Sequence, residues 1–134
     1  MAEPHVLDTS ALIALLEDEA GADTVERVIH REEPFVCFIS LMEILYVKIR
    51  EMGQESAAIA YDILKAMPIR VVESDEDLRL RAARIKAEHR LSLADAWVAA
   101  TAERLGAVLV HKDPEFDALS ERLRMLRLPT KGKK

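Results

Sequence analysis

At 134 residues the chain is long enough for one domain with a proper core, and that core is aliphatic, because half the residues are hydrophobic and only 4% aromatic. Charged residues make up 32%, with a net charge of −5, which argues against a general nucleic-acid binder with a basic face but not against an enzyme whose acids gather in one site. No apolar run approaches the ~18 residues of a membrane span and no basic-then-apolar leader opens the chain, so a cytoplasmic protein without a membrane role is expected. A single cysteine, Cys37, inside an apolar run, reads as a buried core residue of a reducing compartment.

In chain order, His5-Val6-Leu7 is a first strand that ends on Asp8, and an apolar helix follows over Ala11 to Leu16. Val25, Val28 and Ile29 recur at helical spacing up to about Arg31, where Glu32-Glu33-Pro34 breaks the helix. Phe35 to Ile39 is a continuous run of β-formers, as expected of a strand buried on both faces of a parallel sheet, and Ser40 ends it. Leu41, Ile44, Leu45, Ile49 and Met52, then after Gly53 Ile59, Ile63, Leu64 and Met67, predict a helical hairpin.

Pro68 precedes a third strand at Ile69-Arg70-Val71-Val72, and a charged helix runs from about Asp75 to Arg90. A last long helix from about Ala94 to Leu105 stops at Gly106, and Ala107 to Val110 is a fourth strand. Asp113-Pro114 opens a short helix over Glu115 to Leu123, and Met125 to Leu128 is a fifth strand. Strands alternating with helices predict a three-layer α/β/α sandwich with a mainly parallel central sheet, one domain over residues 1–128 with a basic tail over 129–134. The additional helices exceed what simple crossovers need, and predict a protruding lobe or a dimer surface.

In a βαβ unit each helix begins at the edge where the strands end. That places Asp8 at the end of strand one, Glu43 one turn into the helix after strand two, Asp95 at the start of the helix feeding strand four, and Asp113 directly after strand four. Each acid also has a local explanation: Asp8 and Asp113 as helix caps, and Glu43 and Asp95 in capping boxes begun by Ser40 and Ser92, a pattern repeated at Ser74 to Asp77. Energetics favours a shared site. Two carboxylates ~4 Å apart repel by about 4 kcal/mol at an effective dielectric near 20, so several in one cleft need raised pKa values or a bound cation. Oxygen ligands suit Mg²⁺ or Mn²⁺, and the scattered His5, His30, His89 and His111 offer no softer site.

Four blocks carry a family likeness: Val6-Leu7-Asp8-Thr9-Ser10-Ala11-Leu12; Ser40-Leu41-Met42-Glu43; residues 91–102, which contain Asp95-Ala96-Trp97; and Val108-Leu109-Val110-His111-Lys112-Asp113-Pro114-Glu115-Phe116. In these blocks, their order and their spacing, the chain resembles the PIN-domain proteins, specifically the VapC-type toxin ribonucleases of toxin–antitoxin pairs. The resemblance implies that Asp8, Glu43, Asp95 and Asp113 hold divalent metal for RNA phosphodiester hydrolysis, with Asp8 and Asp95 as core ligands and Glu43 and Asp113 acting through water. It also implies a small antitoxin protein as partner and a homodimer. Ser10 is read as a cap that can lend its hydroxyl to the metal shell. His111 departs from the Thr or Ser usual in the family, and Asp117, four residues after Asp113 on the same helix face, is an alternative fourth acid. Lys112, Arg50, Lys48 and the tail are candidates to line the RNA approach. The other readings carried forward are a PIN nuclease of RNA processing and a non-catalytic interaction module on the same fold. Phosphotransfer through an aspartyl intermediate is disfavoured: haloacid-dehalogenase-like enzymes need a second Asp two residues after Asp8, where Ser10 stands, and a receiver domain needs an acidic pair ending strand one, where Val6-Leu7 stands, and an Asp ending strand three, which ends in Val72-Glu73.

Overall fold

The computed structural model describes residues 3–130. Five short strands form one parallel sheet in the order β3-β2-β1-β4-β5: β1 (His5–Leu7), β2 (Phe35–Cys37), β3 (Arg70–Val72), β4 (Val108–His111) and β5 (Met125–Arg127). Helices α1 (Thr9–Leu16), α2 (Ala22–Glu32) and α3 (Phe38–Ala66) pack with one face, and α4 (Glu76–Glu88) and α5 (Leu93–Leu105) with the other. Strand alternation divides the core accordingly. Val6, Cys37 and Leu109 pack with the alanine-rich face of α5, while Leu7, Val36 and Val110 pack with α1, α2 and α3. This is the expected three-layer sandwich, with every strand pairing parallel.

From β1 the chain goes first to β2 and β3 on one side, then crosses to β4 and β5 on the other. The order therefore reverses between β1 and β4, which pair as His5–Val108, Val6–Leu109 and Leu7–Val110. A crevice opens at such a reversal at the carboxyl ends of the strands. Asp8 leaves β1 there, and Asp113 follows β4.

Several boundaries differ from the sequence reading. β2 stops at Cys37, and Phe38 and Ile39 already belong to α3, because β3 offers ladder partners only as far as Val72 opposite Cys37. Ser40 is therefore inside a helix and caps nothing; Cys37 holds the cap position without a side-chain bond. The break expected at Gly53 is present: its φ of 87° and ψ of 168° are non-helical and divide α3 into two helical stretches across a kink, with no separate loop between them. The Ser74 box is displaced by one residue, since Asp75 accepts the Leu78 N–H at 2.8 Å. After Asp113 comes a short 3₁₀ helix, Pro114–Leu119, instead of a helix reaching Leu123. The stop at Gly106 is as expected, in the left-handed conformation at φ 59°. Among the described residues no helix is long and apolar enough to cross a membrane. The expected basic tail lies, from Lys131 onward, outside the described residues.

Candidate active site

Asp8 is the N-cap of α1, and its Oδ2 accepts from Ser10 N at 3.1 Å and from Ser10 Oγ at 2.5 Å. The Ser10 hydroxyl in turn accepts the Lys112 N–H at 2.9 Å, so the chain leaving β4 is tied to the acid leaving β1. The other oxygen, Oδ1, is buried and has no partner among the described residues, and the residue is only 2% exposed. Burial pushes the Asp8 carboxyl up to about 6, against the Ser10 bonds, and the charges of Glu43 and Asp113 add to the rise.

Asp95 sits in the first turn of α5, where its N–H donates to Ser92 Oγ at 3.1 Å. It is 7% exposed. Burial holds its carboxyl well above the ordinary range, with further contributions from Glu115, Asp8 and Asp113. Asp113 caps the 3₁₀ helix by accepting the Glu115 N–H at 2.9 Å, with Pro114 at the first helical position. Glu115 reaches back to α5, where its Oε1 accepts the Ser92 N–H at 3.1 Å. The starts of the two helices are thus joined, and carboxylate oxygens of Asp95, Asp113 and Glu115 all lie within 4.8 Å of one another.

Glu43 lies in the second turn of α3, half-buried, with its Oε1 accepting from Thr9 Oγ1 at 2.6 Å. Its charge bears on Asp8, as Asp8 bears on Asp95. Of the four acids read from the sequence, the structure gathers Asp95 and Asp113, together with Glu115; Asp8 feels the charges of Glu43 and Asp113, and Asp95 that of Asp8. Helix capping and convergence turn out not to be alternatives: Asp8 and Asp113 cap their helices and still face the cluster.

The arrangement fits a hard divalent cation. Every donor is an oxygen, burial and the neighbouring carboxylates hold the Asp95 carboxyl above its ordinary range, and Asp8 Oδ1 is a buried acceptor with no partner among the described residues.

A family model of the PIN domain matches residues 5–122. The chain belongs to the PIN-domain family. The same architecture recurs in solved structures: VapBC2 of Rickettsia felis bound to a DNA fragment from their promoter (14% identity, TM-score 0.77, covering 93% of this chain and 98% of that one) and DNA-bound VapBC of Salmonella typhimurium (19%, 0.77, 94% and 98%). A third is VapC20 of Mycobacterium tuberculosis, a Sarcin-Ricin loop cleaving toxin (24%, 0.68, 85% and 93%). At these identities the likeness establishes the fold. No curated protein matches the chain.

Two residues of this PIN site escaped the sequence reading. Glu115 lay inside a quoted block, but only as the acid of a helix first turn; its approach to Asp95 depends on how the 3₁₀ helix packs. Thr9 read as a plain residue of the strand-to-helix turn. Other expectations are corrected. Asp117 is exposed, pairs with Arg127 at 3.1 Å and is not one of the acids whose oxygens gather within 4.8 Å. Lys48 is buried in an ion pair with Glu17 and cannot line an RNA approach. Lys112 is turned toward the α1–α2 connection, donating to Ala20 O at 3.1 Å. His111 is buried with its ring edge-on to Phe116, 5.1 Å between centroids, and burial pushes its pKa down.

Proposed function

We propose that this PIN protein is a metal-dependent endoribonuclease of the VapC toxin type, acting in the cytoplasm and restrained by a small antitoxin protein. Mg²⁺ or Mn²⁺ is held by Asp8 and Asp95, with Glu43 and Asp113 as ligands through water or as groups that orient the attacking water. One observation carries the reading: a buried aspartate, one of whose oxygens has no partner among the described residues, stands beside the carboxylates of Asp95, Asp113 and Glu115, whose oxygens gather within 4.8 Å of one another. A divalent ion in that position supplies neutralisation of phosphate charge and a water acidic enough to attack near neutral pH. The residues supply the rest. Ser10 and the Lys112 amide fix Asp8, Ser92 fixes Asp95 and Glu115 together, and Asp113 is held by its own helix start. RNA as substrate class is supported by the family and by the named activity of VapC20.

A protein partner is supported by α3, which leaves Met42, Tyr46, Ile49, Met52, Ile59 and Ile63 exposed, and by the VapBC complexes that share the fold. A homodimer is part of the same reading. The test of function compares antitoxin-free wild type with Asp8→Asn and Asp95→Asn on structured total RNA, with Mg²⁺ or Mn²⁺ and with EDTA. Endonucleolytic cleavage by wild type alone, abolished by EDTA, is the expected result. Equal cleavage by all three proteins means a contaminating nuclease, and no metal-dependent cleavage by wild type returns the fold to a non-catalytic module.

A further inference from the structure

Glu43 differs from the other acids of the site in how it is held. Asp8, Asp95 and Asp113 each stand in the first turn or at the cap of a helix, where a backbone N–H or a cap bond fixes them. Glu43 is past the first turn of α3 and has three side-chain torsions to restrain. Its one side-chain hydrogen bond among the described residues comes from another element. Thr9, the first residue of α1 and 8% exposed, places Oγ1 at 2.6 Å from Glu43 Oε1 and at 2.9 Å from Ser40 Oγ. Ser40 and Glu43 are three apart on α3 and so share one face, turned to α1.

A threonine hydroxyl has one proton. The shorter contact, within the range of O–H···O⁻ bonds, takes that proton to the carboxylate, and the buried Ser40 hydroxyl donates to Thr9 Oγ1 in its place. The order is thus Ser40 to Thr9 to Glu43. This relay leaves Oε1 engaged and sets the carboxylate plane relative to Asp8, which lies next to Thr9 in the chain and feels the Glu43 charge.

We infer that Thr9, backed by Ser40, is the positioning residue that orients Glu43 for phosphodiester hydrolysis. The inference rests on the metal-dependent nuclease reading above. Thr9 touches neither substrate nor metal in this scheme and acts only through Glu43.

The experiment uses the full chain with Thr9→Val, which keeps the shape and deletes the hydroxyl, Thr9→Ser, which keeps the hydroxyl, Glu43→Gln, and the Thr9→Val/Glu43→Gln pair. Mn²⁺ affinity is measured by calorimetry and RNA cleavage by kcat and KM, with thermal melting to verify folding. Loss of one hydrogen bond to a charged group predicts a kcat for Thr9→Val about tenfold lower, with KM within about twofold. Thr9→Ser should recover to within about threefold of wild type, and Thr9→Val should weaken Mn²⁺ binding severalfold. In the Glu43→Gln background the Thr9→Val change should cost less than about twofold more, because its target is gone. A Thr9→Val protein equal to wild type in both metal affinity and kcat overturns the inference, as does an equal loss with and without Glu43, which marks a merely structural residue. If Thr9→Val does not fold, failure of Thr9→Ser to retain near-wild-type values overturns it by itself. A wild type that neither binds Mn²⁺ nor cleaves RNA overturns the nuclease reading first, and this one with it.

Discussion

Replacing Asp8 by asparagine should make the metal-free protein more stable at neutral pH, even as it removes a proposed ligand. The Asp8 carboxyl moves from an ordinary 3.8 to about 6 on folding, chiefly through burial. Between those values the native state keeps a proton that the unfolded chain has released. Its stability contribution is therefore complete below about pH 4, declines as pH rises, and is gone above about 6. At about 1.36 kcal/mol per tenfold change in proton affinity, the ionised aspartate costs roughly 3 kcal/mol at pH 7 to 8. Asparagine keeps an oxygen to accept from Ser10 and so retains the cap at little cost. An imperfectly bonded buried amide takes back part of the gain, leaving about 1–3 kcal/mol. For a chain of this size that is a rise in Tm of up to roughly 10 °C. Urea unfolding of both proteins in EDTA from pH 4 to 8.5 tests it, with the difference small at the acid end and growing through pH 6. Saturating Mn²⁺ should narrow or reverse the order, since wild type gains about 2.7 kcal/mol at a hundredfold excess over Kd and the variant gains less. An Asp8→Asn protein less stable than wild type at pH 8 without metal, or a difference independent of pH, would refute the reasoning.

Because Asp95 holds its proton far above the ordinary range, ion binding must displace it. Mn²⁺ affinity should rise with pH through neutrality with proton release, measured by calorimetry in buffers of different ionisation enthalpy, and Asp95→Asn should abolish that dependence. Glu115→Gln should weaken Mn²⁺ binding at least severalfold, whereas Asp117→Asn, which breaks only an exposed pair with Arg127, should leave it unchanged. Gly53→Ala should destabilise by about 1–3 kcal/mol in urea, a backbone cost alone, since nothing lies within 4 Å of the added methyl. Light scattering at tens of micromolar should give a dimer; a monomer, with no reading frame for a small DNA-binding antitoxin adjacent, counts against the partner reading.

Much of this was legible because it is written locally. A β-run ending in an acid before hydroxyl residues marks the β1–α1 turn, Ser92 three residues before Asp95 marks the start of α5, Asp113-Pro114 marks the 3₁₀ helix, and Gly106 marks a stop. In a parallel sheet those local signals also set the sheet edge on which each acid lies, so four candidates could be named from spacing alone. What escaped depends on partners distant in sequence. Phe38 and Ile39 suit a strand by composition, yet they are helical because β3 offers no ladder beyond Val72. Ser40 has a capping pattern, yet its hydroxyl serves Thr9, 31 residues away. Lys48 looks like a surface cation, yet the packing of α3 on α1 buries it against Glu17. Glu115 joins Asp95 only because two helix starts, 23 residues apart at Ser92 and Glu115, are bonded to each other. Local free energy selects elements and caps. The distances between carboxylates, and so their proton affinities, follow from how the finished layers pack and exclude water.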